Sequence, residues 1–351
     1  MKKAAVLGAG YMGSAITFPL SDNGMQVNLW GTWLDDTIIK SCINGYHPKL
    51  KKKMPANVRF FYSSDLRQAV SDVDMIFVGI TSNGFLDVFK MLIDAIDKNY
   101  MFFKLTKGLI NDNGNIKRIS QSAMEVFRSK FSNEDFDWTV IGGPVKAGEL
   151  SDKIPTASVY APNNKKLSEL CYSFSTEYYP ITVTDDAIGV EVSSAFKNVY
   201  AIAIGICDGL FRDKGEGNYH NFNSFIFNQG MLEIAMMVEK AGGRKETAFD
   251  LAGIGDFYVA SLSGRNRRYG DAVGLGSNPH KTFKEMFAAG EVAEGYMALE
   301  IALDWAASIG IDPAKDLPLL NILYEIIFKE KDAGKGLDFF VQLIRKHFRS
   351  G

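Results

Sequence analysis

Three clusters in this 351-residue chain combine residue types and spacing suited to chemistry. The first is Gly189–Gly209, which reads as one long helix with Lys197 as its only basic residue. At helical spacing, the residues sharing the lysine's face are small: Ser193, Ser194, Ala201 and Gly205. A glycine inside a helix costs ~1 kcal/mol against alanine, so Gly205 implies a neighbour packed very close. Two readings fit Lys197. It is either a core-helix residue whose amine snorkels to water, or an amine on a cleft floor, where desolvation and a second cation lower its pKa for proton transfer. The second cluster is Ala252-Gly-Ile-Gly-Asp256 followed by Ser261–Arg268. Its Gly264, Arg265, Asn266, Arg267 and Arg268 make either a donor set for a phosphate or carboxylate or an exposed basic turn. The third is Gly8-Ala-Gly10-Tyr-Met-Gly13-Ser-Ala15, set between the apolar run Lys3–Leu7 and a helix reaching about Asn23.

That third order of strand, turn and helix is what a dinucleotide fingerprint requires. Gly8 permits the tight turn, and Gly10 lets backbone approach a pyrophosphate at a helix N-terminus. Gly13 and Ala15 let the helix lie against the strand. The second strand, Gln26–Trp30, ends in Gly31-Thr32-Trp33, with Asp35 and Asp36 expected in the following helix. Neither an acid for a ribose 2′-hydroxyl nor an arginine for a 2′-phosphate stands at the strand end, so NAD and NADP are both open.

Strand signals continue at Val58–Phe61, Met75–Gly79, Met101–Leu105, Trp138–Ile141, Ala157–Tyr160 and Tyr179–Val183. Helical stretches, Phe85–Ile96, Asn115–Phe127 and Lys165–Ser175, fall among them. This alternation predicts a mainly parallel sheet with helices on both faces, a Rossmann-like α/β domain over residues 1–184. The loops Leu105-Thr-Lys107-Gly108 and Gly142–Glu149 fall at strand ends, where open α/β sheets collect ligands, or are ordinary turns. Thr184, Asp185 and Asp186 offer an N-cap for the lysine helix and Gly209 a stop. From Asp185 helical periodicity dominates, which predicts an all-α domain over 185–351 with Phe211–Asn223 as a mobile polar loop or lid.

Composition bounds the rest. The chain is 46% hydrophobic and 23% charged with a formal net charge of −2, a globular profile without the basic excess of a nucleic-acid binder. Cys42, Cys171 and Cys207 are odd in number and far apart, which suits a reducing cytosol. No spacing among them or the four histidines suggests a metal site. The Met-Lys-Lys start and its short apolar run lack a convincing cleavage site, and no uninterrupted apolar run of about 18 residues predicts a membrane span. The expectation is a cytoplasmic protein.

Taken in order, several stretches resemble the NAD(P)-dependent glycerol-3-phosphate dehydrogenase family over most of the chain. They are Gly8–Ala15, Thr106-Lys-Gly108, Gly189-Val-Glu191, Lys197–Ala203 and Asp208-Gly-Leu210. Gly253-Ile-Gly-Asp256, Gly264-Arg-Asn266, Val292-Ala-Glu-Gly295 and Asp316–Leu320 complete the set. The resemblance implies a homodimer with NAD or NADP as cofactor and no metal. Its reaction would be reversible reduction of dihydroxyacetone phosphate to sn-glycerol 3-phosphate, within glycerol-3-phosphate metabolism and phospholipid biosynthesis. It implies that Lys197 is the general acid and base, that Lys107 steers the substrate and helps lower the pKa of Lys197, and that Asn198 and Asp256 orient lysine and substrate. Arg265 and Asn266, with the Gly264 amide, would hold the phosphate. Gly8, Gly10, Tyr11, Met12 and Gly13 would meet the cofactor, together with Lys107 and Arg265. Gly143, Ala147, Val292 and Glu294 would line the substrate and cofactor cleft. The chain departs from the family's pattern at Val145, at Ala260 and near Asn228-Gln229-Gly230, where no arginine stands. Two other readings remain beside it: a dehydrogenase of another phosphorylated polyol or 2-oxo acid, and a non-catalytic nucleotide-responsive binding protein.

Overall fold

A computed structural model describes residues 2–215 and 219–347. Residues 216–218 of the expected mobile loop and the last four residues of the expected all-α domain lie outside the described residues. The chain divides into two compact units, Met1–Ile110 with Lys117–Glu191, and Asn111–Ile116 with Val192–Gly351.

In the first unit the apolar runs form β1 (Lys3–Leu7), β2 (Gln26–Trp30), β3 (Val58–Phe61), β4 (Met75–Val78) and β5 (Met101–Lys104). A hairpin of β6 (Leu109–Asp112) and β7 (Asn115–Arg118) follows, its residues Asn111–Ile116 counted in the second unit; then come β8 (Trp138–Gly142), β9 (Ser158–Pro162) and β10 (Ile181–Val183). Eight of these make one sheet in the order β10-β9-β8-β5-β4-β1-β2-β3. Every neighbouring pair is parallel except β8 and β9, which are antiparallel. Strands β1 and β4 are buried along almost their whole length, as parallel strands covered on both faces must be. The cover comes from α1 (Tyr11–Asp22), α2 (Asp36–Ile43), α3 (Leu66–Val70), α4 (Ser82–Ala95), α5 (Ile119–Lys130), α6 (Ala147–Ser151) and α7 (Lys165–Tyr172).

The helix expected to start at Asn115 instead begins at Ile119, because Asn115–Arg118 pairs as β7. The reason is local. Asn113 and Gly114 adopt φ of 53° and 88°, the left-handed pair of a two-residue hairpin turn, and an Asn-Gly dipeptide is its strongest sequence signal.

The long helix α8 (Ala187–Leu210) is capped by Asp186, whose carboxylate accepts the Gly189 amide at 2.9 Å. In the first unit its residue Glu191 is fully buried. Glu191 accepts from Lys104 at 2.8 Å, Arg118 at 3.0 Å and the Ser120 amide at 3.0 Å. Burial pushes this carboxyl upward, but the two cations and the amide outweigh it and hold it below the ordinary glutamate value. Among the described residues α8 is the one helix long and apolar enough to cross a membrane, and 94% of its apolar window is buried inside the structure.

The second unit continues with α9 (His220–Lys240), α10 (Lys245–Ala248), a π-turn at Leu251–Gly255, α11 (Asp256–Leu262) and α12 (Arg265–Gly274). Then come α13 (Pro279–Ala288), α14 (Glu294–Ser308), α15 (Pro313–Asp316), α16 (Pro318–Phe328) and α17 (Ala333–His347). Gly209 does not stop α8; it lies inside the helix, where a Cβ would come 2.3 Å from the Asp271 carbonyl oxygen of α12. The glycine is there for helix contact rather than for termination.

On α9, buried Glu233 accepts from the Leu319 and Leu320 amides at the start of α16, from the Tyr200 hydroxyl of α8 and from Gln229. Burial pushes its carboxyl up to about 7 against these four neutral donors. The folded-state value is therefore above the unfolded one, so its contribution to stability is complete below the unfolded value of 4.5 and is lost as pH rises through about 7. Glu233→Gln, which cannot ionise, is expected to flatten the fall in unfolding free energy between pH 5 and pH 8 by roughly 3 kcal/mol. Urea titrations at the two pH values read this difference, and parallel profiles for variant and wild type would refute it.

Candidate functional site

The glycine turn sits at the carboxyl end of β1, beside β4, where the chain order of the sheet reverses direction. Gly8 has φ of +104°, and a Cβ there would lie 2.6 Å from the Gly79 carbonyl oxygen. A Cβ on Gly13 would lie 1.9 Å from the Gly8 carbonyl oxygen, so α1 can approach β1 only with glycine at this position. Gly10 differs: a Cβ would meet nothing within 4 Å. As N-cap of α1 it has no side chain to satisfy the first-turn amides of the helix. Open space and amides at a helix N-terminus together fit a pyrophosphate. Tyr11 and Met12 open the helix, Tyr11 largely exposed.

The carboxyl ends of β5 and β8 lie along the same edge of this parallel sheet. Thr106 donates to the Ile80 carbonyl at 2.6 Å, fixing the turn after β5, and Gly108 has φ of +125°. From that turn the Lys107 amine donates to the Gly143 carbonyl at 3.3 Å. Gly143 itself has φ of +112°, and Ala147 opens α6. Asp35, expected inside α2, is its N-cap. The carboxylate folds back onto the end of β2, taking the Thr32 hydroxyl at 2.9 Å, the Thr32 amide at 3.2 Å and the Ala9 amide at 3.4 Å.

In the second unit Lys197 is 9% exposed and Asp256, at the start of α11, 2%. Their side chains form an ion pair of 2.6 Å. Asn198 donates to Glu294 at 3.4 Å, and Glu294 also lies 3.6 Å from Arg265. Asn266 accepts the Gly295 amide at 2.8 Å. The arginine cluster, read as either a donor set or an exposed basic turn, is the first turn of α12, with Gly264 as N-cap at φ +129° and open space around it. A helix N-terminus carrying an arginine presents amides, dipole and guanidinium to an anion together. The cluster narrows in one respect. Arg267 is tied to Asp208 and the Leu262 carbonyl, and Arg268 bonds Glu291 at 2.7 Å, while Arg265, beside Asn266, has only the longer 3.6 Å contact with Glu294 among the described ion pairs.

The first unit thus holds Gly8, Gly10, Tyr11, Met12, Gly13, Lys107, Gly143 and Ala147, while Lys197, Asn198, Asp256, Gly264, Arg265, Asn266, Val292 and Glu294 belong to the second. Val292 is half-buried just ahead of α14. Sequence reasoning missed Glu191 with its two cations and also missed His47, a buried ring against the glycine turn. A lone histidine in a lysine-rich loop carries no pattern that marks it. Among the described residues, no group of three or more His, Cys, Asp or Glu side chains is disposed to hold a metal ion.

Comparison with known proteins gives one consistent family. The model of the NAD-dependent glycerol-3-phosphate dehydrogenase N-terminus matches residues 3–168, and that of the C-terminus matches 186–338. An NADP(+)-dependent glycerol-3-phosphate dehydrogenase of Archaeoglobus fulgidus is 32% identical over 328 residues, covering 93% of this chain and 95% of its own. A glycerol-3-phosphate dehydrogenase [NAD(P)+] of Clostridium botulinum is 30% identical over 344 residues, 96% of each chain. The crystal structure of glycerol-3-phosphate dehydrogenase from Coxiella burnetii superposes with a TM-score of 0.82 at 27% identity, covering 97% of this chain and 98% of that one.

Proposed function

The chain belongs to the NAD-dependent glycerol-3-phosphate dehydrogenase family, and from that premise we propose how its own residues carry out the reaction. It is an NAD(P)-dependent oxidoreductase that interconverts dihydroxyacetone phosphate and sn-glycerol 3-phosphate. The nicotinamide dinucleotide, when bound, supplies or accepts the hydride. Lys197 gives a proton to the ketone oxygen in reduction and removes the hydroxyl proton in oxidation. Asp256 holds the lysine amine in one direction, with Asn198 beside it on α8 as a second orienting group. The Gly264 amide, Arg265 and Asn266 take the substrate phosphate at the start of α12. Binding energy from that remote phosphate fixes the reacting carbonyl, so orientation carries much of the rate. Lys107 steers the anionic substrate. The glycine turn from Gly8 to Gly13 takes the pyrophosphate, while Gly143, Ala147, Val292 and Glu294 line substrate and cofactor.

The observation that carries this reading is the buried Lys197–Asp256 pair on α8 and α11. A buried pair by itself is weak evidence for a stabilising role, and its lysine is the basic group on a face of small residues. The same reading makes the protein a cytoplasmic homodimer that supplies or consumes glycerol 3-phosphate for phospholipid biosynthesis, with neither nucleic acid nor membrane span involved. Wild-type protein mixed with dihydroxyacetone phosphate is expected to oxidise NADH or NADPH, followed by the fall in nicotinamide absorbance. No oxidation of either, or about ten-fold faster turnover of another phosphorylated ketone or a 2-oxo acid, ~1.4 kcal/mol of transition-state preference, would overturn the assignment.

A further inference from the structure

Between α2 and β3 the chain runs through a lysine-rich loop that carries His47, whose residue is fully buried. The Nδ1 of its ring accepts a hydrogen bond from the Leu50 amide at 3.1 Å. A backbone amide can only donate, so the neutral ring carries its proton on Nε2. The single Nε2–H is shared between two acceptors, the Ser14 hydroxyl oxygen of α1 at 2.8 Å and the Ala9 carbonyl of the glycine turn at 3.3 Å. Burial holds the imidazole below its ordinary value of 6.5. The Ala9 carbonyl works against this, Lys49 of the same loop adds to it, and Asp35 at the N-cap of α2 again opposes. The ring facing the turn is therefore the neutral one at pH 7.

The contact has a directional consequence. The peptide joining Ala9 to Gly10 is planar and trans, so its carbonyl and its N–H point opposite ways. Drawing the Ala9 carbonyl toward His47 turns the Gly10 N–H away from the buried ring, and a hydrogen bond accepted by a carbonyl also polarises the N–H of the same peptide. Around Gly10 the space is open, with nothing within 4 Å of a Cβ built there.

We propose that His47 is a positioning residue for the cofactor: its Nε2–H holds the Ala9–Gly10 peptide and so aims the Gly10 N–H at the pyrophosphate. This rests on the reading of the glycine turn as the dinucleotide site. Two conservative variants separate a role through the turn from a role in merely holding the loop. His47→Gln keeps a donor near the Nε2 position, and His47→Asn keeps only an acceptor near Nδ1 for the Leu50 amide. In NADH titrations followed by nicotinamide fluorescence, His47→Gln is expected to bind within about three-fold of wild type. His47→Asn and His47→Leu are each expected to weaken NADH by about ten-fold, the loss of one hydrogen bond's worth of orientation. Loop-holding alone predicts the reverse order, with Asn tolerated and Gln not. Melting temperatures of the Gln and Asn variants show whether a difference in affinity is a difference in folding. NADH affinity of His47→Asn equal to wild type, or a loss in His47→Gln equal to that in His47→Asn, overturns the proposal alone. Wild-type protein that binds neither NADH nor NADPH overturns the reading of the turn, and this inference with it.

Discussion

Lys197→Ala is expected to lower kcat by about three orders of magnitude while NADH affinity stays near wild type. Steady-state kinetics and fluorescence titration read the two quantities separately, and a kcat within three-fold of wild type would exclude the lysine as proton donor. The variant has a second effect that must be kept apart from the first. Removing the amine leaves the Asp256 carboxylate buried without its 2.6 Å partner, and a buried charge stripped of its partner costs about 3 kcal/mol or more. The double variant Lys197→Ala/Asp256→Asn removes that charge and is expected to regain most of the lost stability without regaining turnover. Recovery of activity along with stability would mean that the pair serves the fold and not the reaction.

The second large effect is steric. Helices α8 and α12 meet through glycines on both sides. A Cβ on Gly205 would lie 2.0 Å from the Arg267 carbonyl oxygen, and one on Gly270 2.1 Å from that of Ile202. On Gly274 it would lie 2.2 Å from the Ile206 carbonyl oxygen. Gly205→Ala gains about 1 kcal/mol of helix propensity. Against this, the obstacle is backbone on a packed helix rather than the end of a flexible side chain, and overpacking of this kind costs about 3 kcal/mol. The clash wins, and the variant is expected to be destabilised by roughly 2 kcal/mol, measured by thermal or urea unfolding. Because α12 begins with Arg265 and Asn266, forcing it away from the helix of Lys197 is also expected to raise KM for dihydroxyacetone phosphate. Gly148→Ala in α6, where a Cβ meets nothing within 4 Å and φ is not positive, is the control and is expected to be neutral or stabilising. Equal effects at positions 205 and 148 would refute the close-approach argument.

Much of the architecture was legible in local pattern. Short apolar runs alternating with helical stretches marked the sheet, and Gly8, Gly10 and Gly13 in their order marked its ligand edge, because backbone conformation and chain reversal depend on neighbours in sequence. Gly205 inside an apolar helix likewise announced a close neighbour, which proved to be the Arg267 carbonyl. The Asn113-Gly114 turn was equally local and was overlooked in favour of a helical period that holds only from Ile119. The resemblance of several stretches then carried the family, since their order along the chain is itself a sequence property.

Other features depended on residues that sequence separates widely. That Lys197 pairs with Asp256, that Glu191 gathers Lys104 and Arg118, and that His47 reaches Ala9 are facts of packing. The fate of the three arginines followed the same rule: Arg267 and Arg268 are held closely by Asp208 and Glu291, and Arg265 more loosely by Glu294, at what is the start of a helix. Gly209 was misread as a stop for the same reason, since its role is set by a helix that returns some sixty residues later. Residue types and local order therefore determined which groups were available and what backbone each required. Only the folded chain decided which charges met, because ionic and hydrogen-bonded partners are chosen by distance and desolvation, and neither exists until the helices pack.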